Sequence, residues 1–159
     1  MSDGCTDALR EIAWREIEST GEQITERERA KKGGMQMSEL VYLACPYSHP
    51  EESVRLARFD AANKAAADLM KAGVLVFSPI SHTHPIAAYG LPLGWDFWER
   101  YDREYLNVCK ALVVLEFGAW FASKGVQAEI SIMTGLHRPV LWMKPEEMVG
   151  DIAERLRGI

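Results

Sequence analysis

With 159 residues, 48% of them apolar and 26% charged, the chain has the size and composition of one globular domain able to bury a real core. A net charge of −5 and a pI near 5.4 argue against broad electrostatic binding to a nucleic acid polymer or an anionic membrane. They leave room for one small anion held by a local cluster of Arg or Ser.

No apolar run approaches the ~20 residues of a membrane span, and the N-terminus is too acidic for a signal peptide. Cys5, Cys45 and Cys109 lack metal-ligand spacing, and an odd count makes no disulfide framework. A reduced, cytoplasmic setting is the expectation.

In chain order, residues 1–37 stand apart. Leu9, Ile12, Ala13, Ile17 and Ile24 recur at helical spacing among Glu and Arg, and Lys31 to Gly34 follow as a polar linker. This predicts an amphipathic helical extension that packs or makes oligomer contacts, preceding a domain at 38–159. Leu40 to Cys45 is a short apolar run stopped by Pro46, which predicts a buried strand. A helix is expected over Glu51–Lys71, closed by Gly73, and a second strand over Val74–Phe77.

Ser78–Gly94 contains Pro79, Pro85 and Pro92 and reads as a long loop carrying Ser81, His82 and His84. The aromatic-rich Trp95–Cys109 predicts a helix, Ala111–Phe117 a third strand, and the stretch after Ser123 a helix to Thr134 closed by Gly135. Pro139–Met143 and Glu146–Arg157 complete the pattern as strand and helix. Alternating strands and helices imply an α/β sandwich around a parallel sheet, with ligands at the carboxyl ends of the strands. Tyr42–Ser48, Ser78–His84 and Phe117–Glu129 all belong at those ends.

Two carboxylates stand out there, Asp102 and Glu129. Glycosyl-bond cleavage uses such a pair, one to attack or stabilise the anomeric carbon and one to protonate the leaving group. A solvated helix face is the plain alternative for any single pair. Glu129 is placed in the opening turn of its helix, where free N–H groups favour an anion. Ser123 suits both an N-cap and, with the amides of Lys124 and Gly125, a phosphate cradle. Tyr42 is either a core tyrosine or one whose hydroxyl points into the site. Ser48 and Arg55 are further candidate anion contacts, whereas Arg58 reads equally as a surface charge. His82 and His84 are candidate contacts to a base or phosphate; no acidic or Cys ligand supports a metal, and no cofactor is expected. The turn after the first strand lacks the glycines of a dinucleotide site, and there is no P-loop.

The strings Val41-Tyr42-Leu43-Ala44-Cys45-Pro46-Tyr47-Ser48 and Gly125-Val126-Gln127-Ala128-Glu129-Ile130, with Asp102 between them, resemble the nucleoside 2-deoxyribosyltransferase superfamily over about Leu40 to Met143. The likeness extends to an uncharacterised bacterial and phage branch through Ser78 to Pro85. The resemblance implies a flavodoxin-like three-layer sandwich and a homodimer or higher homo-oligomer. It also implies roles. Glu129 is the nucleophile that forms a covalent glycosyl-enzyme, Asp102 the acid that helps the base leave, and Tyr42 the residue that orients Glu129.

In relatives acting on free nucleosides, the position of Ser123 is typically acidic; in those hydrolysing nucleoside 5′-monophosphates it is a serine that contacts phosphate. Ser123 therefore implies an N-glycosidase of a (deoxy)nucleoside 5′-monophosphate. Two rival expectations remain: a transferase that exchanges bases, and a non-catalytic nucleotide-binding or sensing protein. The chain departs from the hydrolases in having Gln127-Ala128 where they have Gly-Tyr, and Pro46-Tyr47 where they have a Ser-Gly-rich turn.

Overall fold

Four short apolar runs pair in parallel into one sheet in the computed structural model, which describes residues 39–145 and 149–159. The expected helix and linker of residues 1–37, and the first residues of the last helix, lie outside the described residues. The strands are β1 (Val41–Ala44), β2 (Val76–Phe77), β3 (Ala111–Leu115) and β4 (Val140–Met143), in the order β2-β1-β3-β4. Val41 aligns with Val76 on one side and with Ala111 on the other, and Leu112 aligns with Val140. The order reverses between β1 and β3, the crevice at which flavodoxin-like sheets bind ligands.

Helices α1 (Glu52–Lys71), α2 (Pro79–Ala87), α3 (Trp95–Val108), α4 (Lys124–Gly135) and α5 (Val149–Arg157) complete the described chain, with a 3-10 turn at Trp120–Ala122. Every residue of β1 and β3 is buried, as the near-continuous apolar runs require of strands covered on both faces. Side chains alternate across the sheet. Val41, Leu43, Val113 and Leu115 pack with Ala62, Ala65 and Leu69 of α1 and Ile152 and Leu156 of α5. Tyr42, Ala44, Leu112 and Val114 pack with Leu106 of α3 and Val126 and Met133 of α4. The result is a three-layer α/β sandwich. Among the described residues no helix is long and apolar enough to cross a membrane.

Three local expectations are corrected. Ser78–Gly94 is not a loop throughout: its first half is α2. Ser78 caps it by accepting a hydrogen bond from the Ser81 N–H, and Pro79 occupies the first helical positions, where a missing N–H costs nothing. Pro85 falls in the last turn, so it interrupts little of the hydrogen-bond ladder. The third strand stops at Leu115, two residues early, and Phe117 leads to Gly118 at φ 57°. Gly135 lies inside α4 and does not end it. The left-handed residue is His137 (φ 55°), and the Arg138 N–H reaches back to the Met133 carbonyl in a Schellman closure. The Arg138 guanidinium then donates to the carbonyls of Leu106 and Cys109, tying the end of α3 to the end of α4.

Candidate active site

The carboxyl ends of β1 and β3 open into a cavity of about 470 Å³, within the range of small-molecule sites. Its depth comes from β1. Tyr42 is wholly buried, and its hydroxyl donates to Oε1 of Glu129 on α4 at 2.8 Å. Asp102 projects from α3 toward the same place. Both carboxylates line the cavity yet are only 5–6% exposed. Oε2 of Glu129 is the one buried side-chain polar atom without a hydrogen-bond partner among the described residues. A buried carboxylate oxygen left open in this way is expensive unless something else meets it.

Burial governs the acidity of the group. It lifts the Asp102 carboxyl to about 6, against a smaller opposing effect of the hydrogen bond with Tyr42. It lifts Glu129 to about 8; the nearby Asp102 charge adds to the rise, and the Tyr42 hydroxyl opposes it. Burial and the two carboxylates together push Tyr42 well above the usual phenol range, so it remains a proton donor. The two carboxylates titrate as a coupled pair, and the charge of one resists ionisation of the other. Near neutral pH the two carboxylates hold about one proton between them. This corrects the expectation of a helix start that keeps Glu129 ionised. Glu129 is the sixth residue of α4, beyond the first turn whose free N–H groups favour an anion.

The walls come from three directions. Ser123, Lys124 and Gly125 line the cavity at the start of α4. The Ser123 hydroxyl oxygen accepts from the Val126 N–H at 3.5 Å, which leaves its proton free to donate into the cavity. The N–H groups of Lys124 and Gly125 are first-turn donors with no partner inside the helix. Lys124 also pairs with Asp96 at the exposed rim (2.5 Å). Gly125 lets the backbone approach the Trp95 ring closely: a Cβ there would sit 3.2 Å from it, tighter than ordinary contact. Trp95 and Trp98 form an aromatic wall, with the Trp98 indole N–H fixed to the Pro92 carbonyl at 2.8 Å.

Ser48 also lines the cavity, but its hydroxyl donates to the Leu93 carbonyl at 2.6 Å. Arg55 does not reach the cavity; its guanidinium donates to the carbonyls of His49 and Pro50. Arg58, one turn on, lines the cavity in its place. His82 and His84 also lie outside the lining. His84 Nδ1 meets the Tyr47 hydroxyl at 2.7 Å, and its ring stacks on Phe59, so it buttresses the wall behind Tyr47. His82 packs beside Phe77. The sequence placed Trp95 and Trp98 in an aromatic helix and read Arg58 as a surface charge, without assigning any of them to the cavity. The aromatic spacing of α3 was a usable signal; nothing local separates Arg58 from Arg55. Cys45 and Cys109 are buried with thiols pushed up to about 12, so neither is a ready thiolate. Among the described residues no group of three or more His, Cys, Asp and Glu can hold a metal ion.

Residues 39–145 match the family described as a domain of unknown function (DUF1937). No curated protein matches the chain. The matched span is most of the chain and includes every part of the cavity described above. The chain therefore belongs to DUF1937, a nucleoside 2-deoxyribosyltransferase-like family.

Proposed function

We propose that this protein is an N-glycosidase that hydrolyses the N-glycosidic bond of a (deoxy)nucleoside 5′-monophosphate through a covalent glycosyl–Glu129 intermediate. The observation that carries the proposal is the Tyr42–Glu129 hydrogen bond beside Asp102 at the floor of a cavity. It unites a positioned carboxylate, a second carboxyl able to carry a proton near neutral pH, and room for a nucleotide.

Glu129 attacks C1′ as the C1′–N bond breaks, and the protonated Asp102 supplies the proton the departing base takes up. Water, giving a proton back to Asp102, then releases the sugar from Glu129. The pair's proton can sit on either carboxylate, and attack needs it on Asp102. The two forms have the same total charge, and Tyr42 borders both carboxylates, so the exchange needs no proton from solvent. Positive charge developing at C1′ favours the form in which Glu129 is the anion.

The start of α4 suits the 5′-phosphate. Ser123 donates its hydroxyl proton, the Lys124 and Gly125 amides point toward the anion, and no carboxylate replaces Ser123 to repel it. The Trp95 and Trp98 wall gives a flat ring an apolar surface.

The test is incubation of the pure protein with a panel of deoxynucleotides, ribonucleotides and nucleosides, with free base followed by chromatography. Free base from monophosphates supports the proposal. Product only when an acceptor base is added makes the protein a base-exchanging transferase. Binding without product under any condition makes it a nucleotide sensor.

A further inference from the structure

The cavity lining contains a cation that the glycosidic chemistry leaves unused. Arg58 lines the cavity and is half-buried, and its guanidinium is anchored by one nitrogen only. Nη1 donates to the carbonyls of Tyr47 (3.2 Å) and Ser48 (2.8 Å) in the turn after β1. Nε and Nη2, the parallel pair on one edge of the guanidinium, have no partner among the described residues. Pro46, Pro79, Ile80 and Thr83 also line the cavity.

The start of α2, which also lines the cavity, is poorly equipped for a phosphate. Pro79 removes one of the first amides of α2, and the Ser81 N–H is committed to Ser78. The open edge of Arg58 suits a flat ring with two adjacent acceptors on its own edge.

We infer that Arg58 is a base-reading residue whose free guanidinium edge pairs with two adjacent acceptors of a 6-oxopurine, its O6 and N7, so that the protein selects guanine- and hypoxanthine-type 5′-monophosphates. The inference rests on the nucleotide reading of the cavity. An adenine presents an amino donor at position 6, which faces an Arg donor and is rejected. Bidentate Arg recognition of this edge discriminates against the wrong base by roughly ten- to a hundredfold.

The experiment measures binding of dGMP, dIMP, dAMP and dCMP by quenching of the cavity tryptophans, together with kcat/KM for base release. It uses the wild-type protein, Arg58→Lys and Arg58→Ala. Lysine keeps the charge but not the fork, so it separates base reading from phosphate attraction. The expected result is at least tenfold preference for dGMP and dIMP, abolished in Arg58→Lys with dAMP and dCMP binding unchanged. Circular dichroism and the unchanged dAMP affinity guard against misfolding of either variant. Equal affinity for all four nucleotides in the wild type, binding of none, or a loss in Arg58→Lys uniform across bases overturns the inference. Selective binding with no base released leaves Arg58 as the reader and overturns the glycosidase proposal instead.

Discussion

Replacing Glu129 with Gln should abolish turnover and, above neutral pH, stabilise the protein. Glu129 is buried with Oε2 unpartnered among the described residues, and its carboxyl is raised from an ordinary value of 4.5 to about 8. A group that binds its proton more tightly when folded favours folding at low pH. That contribution is complete below 4.5 and is lost as pH rises through about 8. Asp102, raised from 3.8 to about 6, acts in the same direction over a lower window.

Each tenfold change in acidity corresponds to about 1.4 kcal/mol, so Glu129 alone makes the fold roughly 5 kcal/mol weaker at pH 9 than at pH 4, as an upper bound. Gln cannot ionise, keeps an acceptor for the Tyr42 hydroxyl and fills nearly the same volume. Urea unfolding at pH 5 and pH 9 tests the reasoning. The wild type should lose stability between the two, and the variant should lose much less, leaving it more stable by a few kcal/mol at pH 9. Equal stabilities at pH 9, or a wild type that strengthens as pH rises, would refute the account of Glu129 as a desolvated carboxyl.

Other expectations follow from the same geometry. The rate of base release should be bell-shaped in pH with limbs near 6 and 8, because only the singly protonated pair is competent; a rate flat from pH 5 to 9 would exclude a proton shared by the pair. Tyr42→Phe removes the 2.8 Å bond to Glu129 and should lower kcat by roughly ten- to a hundredfold while moving both limbs upward, since Tyr42 lowers both carboxyl values; unmoved limbs would contradict its place between them. Ser123→Asp retains an N-cap acceptor, so melting temperature should hold, while kcat/KM should fall far more for monophosphates than for nucleosides; an equal fall for both would sink the phosphate assignment. Ser78→Ala should cost about 1 kcal/mol by uncapping α2, read from the urea midpoint, and no change would mean that Pro79 alone sets that helix start.

The strands were legible because each is a short apolar run bounded by Pro, Gly or a charge, and a parallel sheet covered on both faces demands such runs. Tyr42, Asp102 and Glu129 could be named together because the strings around Tyr42 and Glu129 resemble a known family; the residues alone left Tyr42 open between core and site. Their acidity could not, since it depends on how completely helices α3 and α4 shut out water. The α2 segment was misjudged by weighing proline number over proline position: Ser78-Pro79 is a helix start. Arg55 and Arg58 differ by about one helical turn, and which of them faces the cavity is decided by how the β1–α1 turn folds back over α1, a matter of tertiary path. Ser48 was rightly put near the cavity, yet its hydroxyl is consumed by Leu93, a residue 45 positions away.

The central claim is that Glu129 bonds covalently to the sugar. It is tested most directly by intact-mass spectrometry of the protein after incubation with a nucleotide bearing fluorine at C2′, which slows release of the glycosyl-enzyme by destabilising its cationic transition state. The account predicts a sugar-phosphate adduct that maps to Glu129 by peptide sequencing and is absent from Glu129→Gln. Steady release of free base with no adduct at any time, or an adduct on another residue, would contradict it.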